Sequence, residues 1–198
     1  MSSLPPPSSR VPSENIILIG MPGSGKSTVG VLLAKELGFA FVDTDILIQQ
    51  REGCLLQELV DRVGSAQLRA IESDVCRALS CSRTVVATGG SAVYCADAMR
   101  HLSGLGPVIW LDAPFPVINE RIERNPLRGL AKNPDQTLED LYDERQPLYR
   151  RFGEIRIPYA EETPEATVRS IIGVLPREFR RSPSGDSSGG ESSHSPRD

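Results

Sequence analysis

No Cys-x-x-Cys pair occurs in this sequence: its four cysteines, Cys54, Cys76, Cys81 and Cys95, are scattered, with no histidine cluster beside them. Neither a zinc site nor a disulfide framework is suggested, and the thiols read as reduced structural residues of a cytosolic protein. No apolar run approaches the roughly 20 residues that cross a bilayer, so no membrane is expected as a partner. Nor is there a cationic excess. With a formal net charge of −4 and a pI near 5.3, the chain has no broad basic face to neutralise the phosphates of a nucleic acid. Any anion site must therefore be local. Residues 1–13 are rich in Ser and Pro, with the single cation Arg10 and no apolar h-region, and so resemble neither a secretory signal nor a transit peptide. From residue 177 onward the Arg-Arg-Ser-Pro-Ser-Gly run and its Ser/Gly continuation have almost nothing to bury. Segments 1–13 and 177–198 are read as disordered, which leaves 14–176, a length suited to one domain.

What is present is a glycine loop. Gly20-Met21-Pro22-Gly23-Ser24-Gly25-Lys26-Ser27 fits the P-loop pattern, in which a glycine, four residues and Gly-Lys-Ser follow a strand and open a helix. The flanks agree: residues 16–19 are an unbroken apolar run, as in a doubly covered parallel strand. Residues 28–37 carry Val29, Leu32, Leu33 and Leu37 at helical spacing, and Gly38 stands where a C′ glycine ends a helix. Glycines let backbone N–H groups turn in around phosphates, and the helix start adds partial positive charge. Gly23, Ser24, Gly25, Lys26, Ser27 and Thr28 are the expected nucleotide-binding set, with Lys26 against the β- and γ-phosphates and Ser27 on Mg²⁺.

Further along, residues 39–42 read as a second strand ending in Asp43-Thr44-Asp45. Ligands of open α/β sheets bind beyond strand C-termini, so both carboxylates are expected on the P-loop side, one near Mg²⁺ and one near an acceptor hydroxyl. Asp45 as the N-cap of a helix over 46–51 is an equal alternative. A short helix over 55–63 is broken by Gly64-Ser65. The next, over 67–79, sets Arg69 and Glu72 at i, i+3, which taken alone reads as a surface ion pair. Residues 84–88 form a third strand running into Gly89-Gly90-Ser91, where paired glycines allow a ligand close to the backbone. A helix over 96–105, a fourth strand over 108–111, a helix over 115–124 and a fifth strand over 155–157 follow. Residues 127–135 carry Pro and Gly punctuation around Arg128 and Lys132 and suit a closing lid. Thr137 and Asp140 form a capping box, and a last helix opens at Pro164. Strands alternating with helices at these intervals predict a three-layer α/β/α domain on a five-stranded parallel sheet.

In order, these segments are Gly-x4-Gly-Lys-Ser, Phe-Val-Asp-Thr-Asp, Leu-Arg-x-x-Glu, Thr-Gly-Gly, Arg-Gly-Leu and Glu-Arg-x-Pro-Leu-Tyr. Together the series resembles the shikimate kinase family of nucleoside-monophosphate-kinase-like P-loop enzymes over about residues 15–173. The resemblance implies a P-loop NTPase fold with a short lid at about 124–135. It implies transfer of the γ-phosphoryl of ATP, with Mg²⁺, to the 3-hydroxyl of shikimate by a cytoplasmic enzyme, with a monomer as the default. Asp43 matches the aspartate near Mg²⁺, and Asp45 the one that holds the substrate hydroxyls and serves as base. Arg69 and Arg145 match the pair that clamps the shikimate carboxylate, and Gly89 and Gly90 the turn against the substrate. Arg128 matches the lid arginine that reaches the phosphates. Pro164 flanks the adenine, with Arg121 or Arg124 opposite. Two positions depart from the family pattern: Ser91 stands for a third glycine and Gly129 for a proline after the lid arginine. Ser91 implies either a slightly altered acceptor or a backbone that avoids positive φ at that position. Two rivals are a kinase of another hydroxylated acid such as gluconate and a catalytically silent nucleotide-binding module; the second would be expected to lack Lys26, Asp45 or Arg128.

Overall fold

The computed structural model describes residues 14–124, 130–133, 135–160 and 163–180. Five strands, β1 (Ile16–Ile19), β2 (Ala40–Asp43), β3 (Thr84–Ala87), β4 (Val108–Asp112) and β5 (Ile155–Pro158), form one sheet in the order β2-β3-β1-β4-β5. All four pairings are parallel. β1 lies at the centre with every residue fully buried. Its side chains alternate as a pleated strand requires. Ile17 and Ile19 enter one apolar cluster, with Val86, Trp110 and Leu141, while Ile16 and Leu18 enter the other, with Leu33, Ile109 and Ile171. An unbroken apolar run is thus what a strand covered on both faces needs.

The first of those clusters is closed by α4 (Ala96–Leu105), α5 (Phe115–Glu123) and α6 (Leu138–Phe152), which supply Met99, Ile118 and Tyr149. The second is closed by α1 (Lys26–Leu37) and α7 (Pro164–Val174). A smaller cluster joins α2 (Thr44–Glu52) to α3 (Leu56–Ala78) through Ile48, Leu59 and Leu68. The chain winds from β1 toward β2 and then crosses β1 between β3 and β4. The connection that leaves β1 therefore opens at the point where strand order reverses, where open sheets bind ligands.

Most boundaries lie within a residue or two of the sequence reading, and three of the differences have a consequence. α1 begins at Lys26, two residues earlier than expected, because Val29 N–H already donates to the Gly25 carbonyl (2.8 Å) and the Gly-Lys-Ser-Thr run forms the first turn. The cap of α2 is Asp43, whose carboxylate accepts from Asp45 N–H (2.9 Å), so Asp45 is not the N-cap but lies in the first turn. At the far end, Arg177–Arg180 is a 3-10 turn. Its Phe179 is buried, with its ring centroid 6.5 Å from that of Phe39. The folded part therefore runs past the expected boundary at 176. Residues 181–198, like 1–13, lie outside the described residues.

Candidate active site

The loop between β1 and α1 follows from its glycines. Gly20, Gly23 and Gly25 have φ of 146°, 84° and 99°, and a Cβ on Gly20 would stand 2.6 Å from the Leu111 carbonyl oxygen. Only glycine combines that approach with those angles. Lys26, Ser27 and Thr28 then open α1, where backbone N–H groups have no helical acceptor. Lys26 is buried and folds back so that its Nζ donates to the carbonyls of Gly20 (2.8 Å) and Met21 (2.9 Å). Burial pushes its ammonium pKa down to about 8, against the pull of Asp45, Asp43 and Glu72. A phosphate chain in the loop would favour the charged form. Beside the loop, Ser27 Oγ donates to Asp43 Oδ2 at 2.6 Å. A hydroxyl and a carboxylate side by side are hard oxygen donors of the kind Mg²⁺ takes, so these residues fit that ion.

A cleft of about 610 Å³ runs past this loop, and Asp45, Glu72, Gly89, Gly90 and Arg145 share its wall with residues 22–29. The two glycines there are required by space rather than by φ. A Cβ on Gly89 would meet Glu72 Oε1 and, at 2.7 Å, Asp45 Oδ1; one on Gly90 would meet Pro22 Cδ (2.6 Å) and Arg145 Nη1 (2.9 Å). Their backbone is pinned from two sides: Gly89 N–H donates to Thr44 Oγ1 (2.8 Å), and Tyr149 Oη donates to the Gly90 carbonyl (2.6 Å). Ser91 has φ −100° and ψ 0°, so the residue in place of the family's third glycine carries no positive φ.

Arg145 is almost wholly buried on α6. Its Nη2 donates to the Ala131 carbonyl (3.0 Å), the same oxygen that Arg69 Nη2 reaches from α3 at 3.4 Å. Both guanidiniums lie over the Tyr94 ring, 4.0 Å from its centroid for Arg69 and 5.3 Å for Arg145. Two fork-shaped cations converging on one carbonyl have the geometry to hold a carboxylate. The surface ion pair between Arg69 and Glu72 is not what forms: Glu72 is buried and accepts from the Ser91 hydroxyl instead.

Asp43 and Arg69 are not wall residues of the cleft; they join it through Ser27 and Ala131. Pro164, at the first position of α7, lines the cleft with Arg121 and Arg124. Arg121 Nη1 donates to the Gly23 carbonyl (2.8 Å) and lies 5.5 Å from the Tyr159 ring centroid, whereas Arg124 pairs with Glu120 (2.5 Å) on an exposed surface. Arg128, with residues 125–127, 129 and 134 of the expected lid, lies outside the described residues. Thr44, Tyr94 and Tyr149 were absent from the sequence-derived site. Thr44 sits between the two aspartates and Tyr149 closes the Pro-Leu-Tyr motif, so both had a positional signal; Tyr94 had none.

A sequence profile described as shikimate kinase matches residues 22–176. The chain belongs to the shikimate kinase family. It is 39% identical over 171 residues to the shikimate kinase of Synechococcus sp. (strain CC9902), covering 84% of this chain and 88% of that one. It is 38% identical over 181 residues to that of Nostoc sp. (strain PCC 7120), covering 89% and 99%. Among solved structures, shikimate kinase from Acinetobacter baumannii in complex with shikimate superposes with a TM-score of 0.74 at 32% identity, covering 80% of this chain and 90% of that one. The Aquifex aeolicus shikimate kinase gives 0.68 at 34% identity, covering 80% and 94%. Shikimate kinases are ATP-dependent phosphotransferases, and the predicted P-loop fold on a five-stranded parallel sheet is the one found. No helix among the described residues is long and apolar enough to cross a membrane.

Proposed function

We propose that this member of the shikimate kinase family transfers the γ-phosphoryl group of MgATP to the 3-hydroxyl of shikimate, giving shikimate 3-phosphate and ADP. The observation that carries this reading is one cleft walled by Lys26 of the P-loop, Asp45 and Arg145, with Arg69 reaching the same carbonyl as Arg145. A phosphate site, a carboxylate able to hold a hydroxyl and a pair of guanidiniums for a carboxylate are what this reaction requires.

Asp45 orients the acceptor hydroxyl and takes its proton as the hydroxyl oxygen bonds to the γ-phosphorus and the bond to the β,γ-bridging oxygen breaks. Lys26 exchanges its two backbone carbonyls for phosphate oxygens and counters their charge. Mg²⁺ supplies further neutralisation of the phosphates, with Ser27 and Asp43 as the residues that would hold it. Arg69 and Arg145 leave the Ala131 carbonyl for the shikimate carboxylate, a stronger acceptor because it is charged. Gly89 and Gly90 provide the wall against which the ring lies. Gly23, Ser24, Gly25 and Thr28 complete the phosphate cradle, and Arg128 adds the lid cation over the phosphates. Pro164 and Arg121 flank the adenine, since Arg121 is tethered to the P-loop at Gly23 while Arg124 is held by Glu120. Residues 14–176 with the turn through Arg180 form the catalytic unit, acting as a monomer in the cytoplasm.

ADP release from MgATP by the purified full chain, with shikimate beside gluconate and quinate, tests this reading. Turnover that depends on shikimate is expected; turnover with another acid alone, or nucleotide binding with no acceptor, would overturn it.

A further inference from the structure

Glu72 is an anomaly in this site. It is buried, its Oε2 accepts a hydrogen bond from the equally buried Ser91 hydroxyl, and its Oε1 has no partner. That free oxygen points at the space beside Gly89, where Asp45 Oδ1 also reaches. The groups facing the carboxyl are Lys26 from α1, Asp45 from α2, Arg145 and Tyr149 from α6 and Cys76 from its own helix. A carboxylate so enclosed has two ways out, protonation or rotation, and either would weaken the counter-charge it gives to the buried cations Lys26 and Arg145.

We propose that Ser91 is a positioning residue: its hydroxyl fixes the Glu72 carboxylate in one orientation between Lys26 and Arg145, with Oε1 turned to the acceptor space beside Asp45. Glycine at this position can do neither, so Ser91 is a functional replacement of the family's third glycine rather than a tolerated one. Burial raises the Glu72 carboxyl above its ordinary range, and the Ser91 hydroxyl is the largest influence opposing it, ahead of Arg145 and Lys26. Removing the hydroxyl therefore favours the protonated, mobile acid.

The proposal rests on the acceptor assignment above, and its test separates the two. Ser91→Ala and Ser91→Gly are expected to raise KM for shikimate on the order of tenfold, as loss of a hydrogen bond to a charged group does. KM for ATP should stay within about twofold. The acid limb of kcat/KM for shikimate should move to higher pH. In a Glu72→Gln background the same Ser91 change should have little further effect, because the two residues act as a unit. A carbon-13 NMR titration of the glutamate carboxyls in the full chain, with Glu72 assigned from the Gln variant, reads the pair without turnover. Its midpoint should lie higher in Ser91→Ala than in the unaltered protein. An unchanged Glu72 midpoint, equal rises in both KM values, or additive effects in the double variant would overturn the proposal. Absence of shikimate turnover in the unaltered protein would instead overturn the acceptor assignment and leave the titration to decide the role of Ser91.

Discussion

Replacing Asp45 by Asn keeps size and hydrogen bonding but removes the proton acceptor. The expected outcome is a fall in kcat of about 10² to 10⁴, the span usual for loss of a general base. Binding of ATP, followed by calorimetric titration, should change little, and near-normal turnover would rule out the role assigned to Asp45. Lys26 gives a second prediction. Its free-state pKa lies near 8 because of burial, and a bound phosphate chain raises it. Between the two values binding takes up a proton, so ATP affinity should be level below about pH 8 and fall as pH rises through it. Titrations at neutral and alkaline pH check the sign: affinity that rises with pH would place the neutral amine in the complex. Among residues, the P-loop, Asp43, Asp45 and the glycine pair were legible because each stands at or just beyond a strand end in sequence. The burial of Glu72 was not, since an i, i+3 Arg–Glu spacing is the same on a solvent face and inside a cleft.

At the scale of elements, α3 is the instructive case. Gly64 has φ 79° and ψ 168° within a helix that otherwise runs from Leu56 to Ala78, a conformation that belongs essentially to glycine. The kink lets Leu59 before it and Leu68 after it meet Ile48 of α2 in one cluster while the later turns carry Arg69 and Glu72 toward the cleft. Gly64→Ala should cost on the order of 1–3 kcal/mol in urea unfolding, and any catalytic loss should appear in KM for shikimate more than in KM for ATP. An unchanged midpoint would mean that the kink is not held against strain. The break itself was readable from Gly64-Ser65, as strand positions were from apolar runs. The start of α2 was not, because two aspartates flank one threonine. Asp43 wins because its backbone is the last residue of β2, paired in register with Ala87, which sets the chain's direction into the helix.

For the whole molecule, the C-terminal turn is where composition misled. Ser, Gly and Arg dominate from residue 177 on, but Phe179 is buried among the second cluster beside Phe39. Phe179→Ala should lower unfolding stability by about 3 kcal/mol, the lower range for removing a core aromatic. Its kcat with saturating substrates should stay near that of the unaltered protein. A change of under half a kcal/mol would mean that the turn contributes nothing to the domain. What the sequence by itself determined is whatever depends on local order: strand, glycine loop and helix in succession, the period of the apolar residues, and the spacing of motifs that carries the family. What only the tertiary structure decided is whatever depends on residues far apart in the chain. Arg69 and Arg145 meet at one carbonyl, Ser91 meets Glu72, and Phe179 returns to Phe39 because the crossing of β1, the packing of both α3 and α6 on the 3-10 turn Ala92–Tyr94, and that of α7 on α1 bring those side chains together, and no local pattern encodes that meeting.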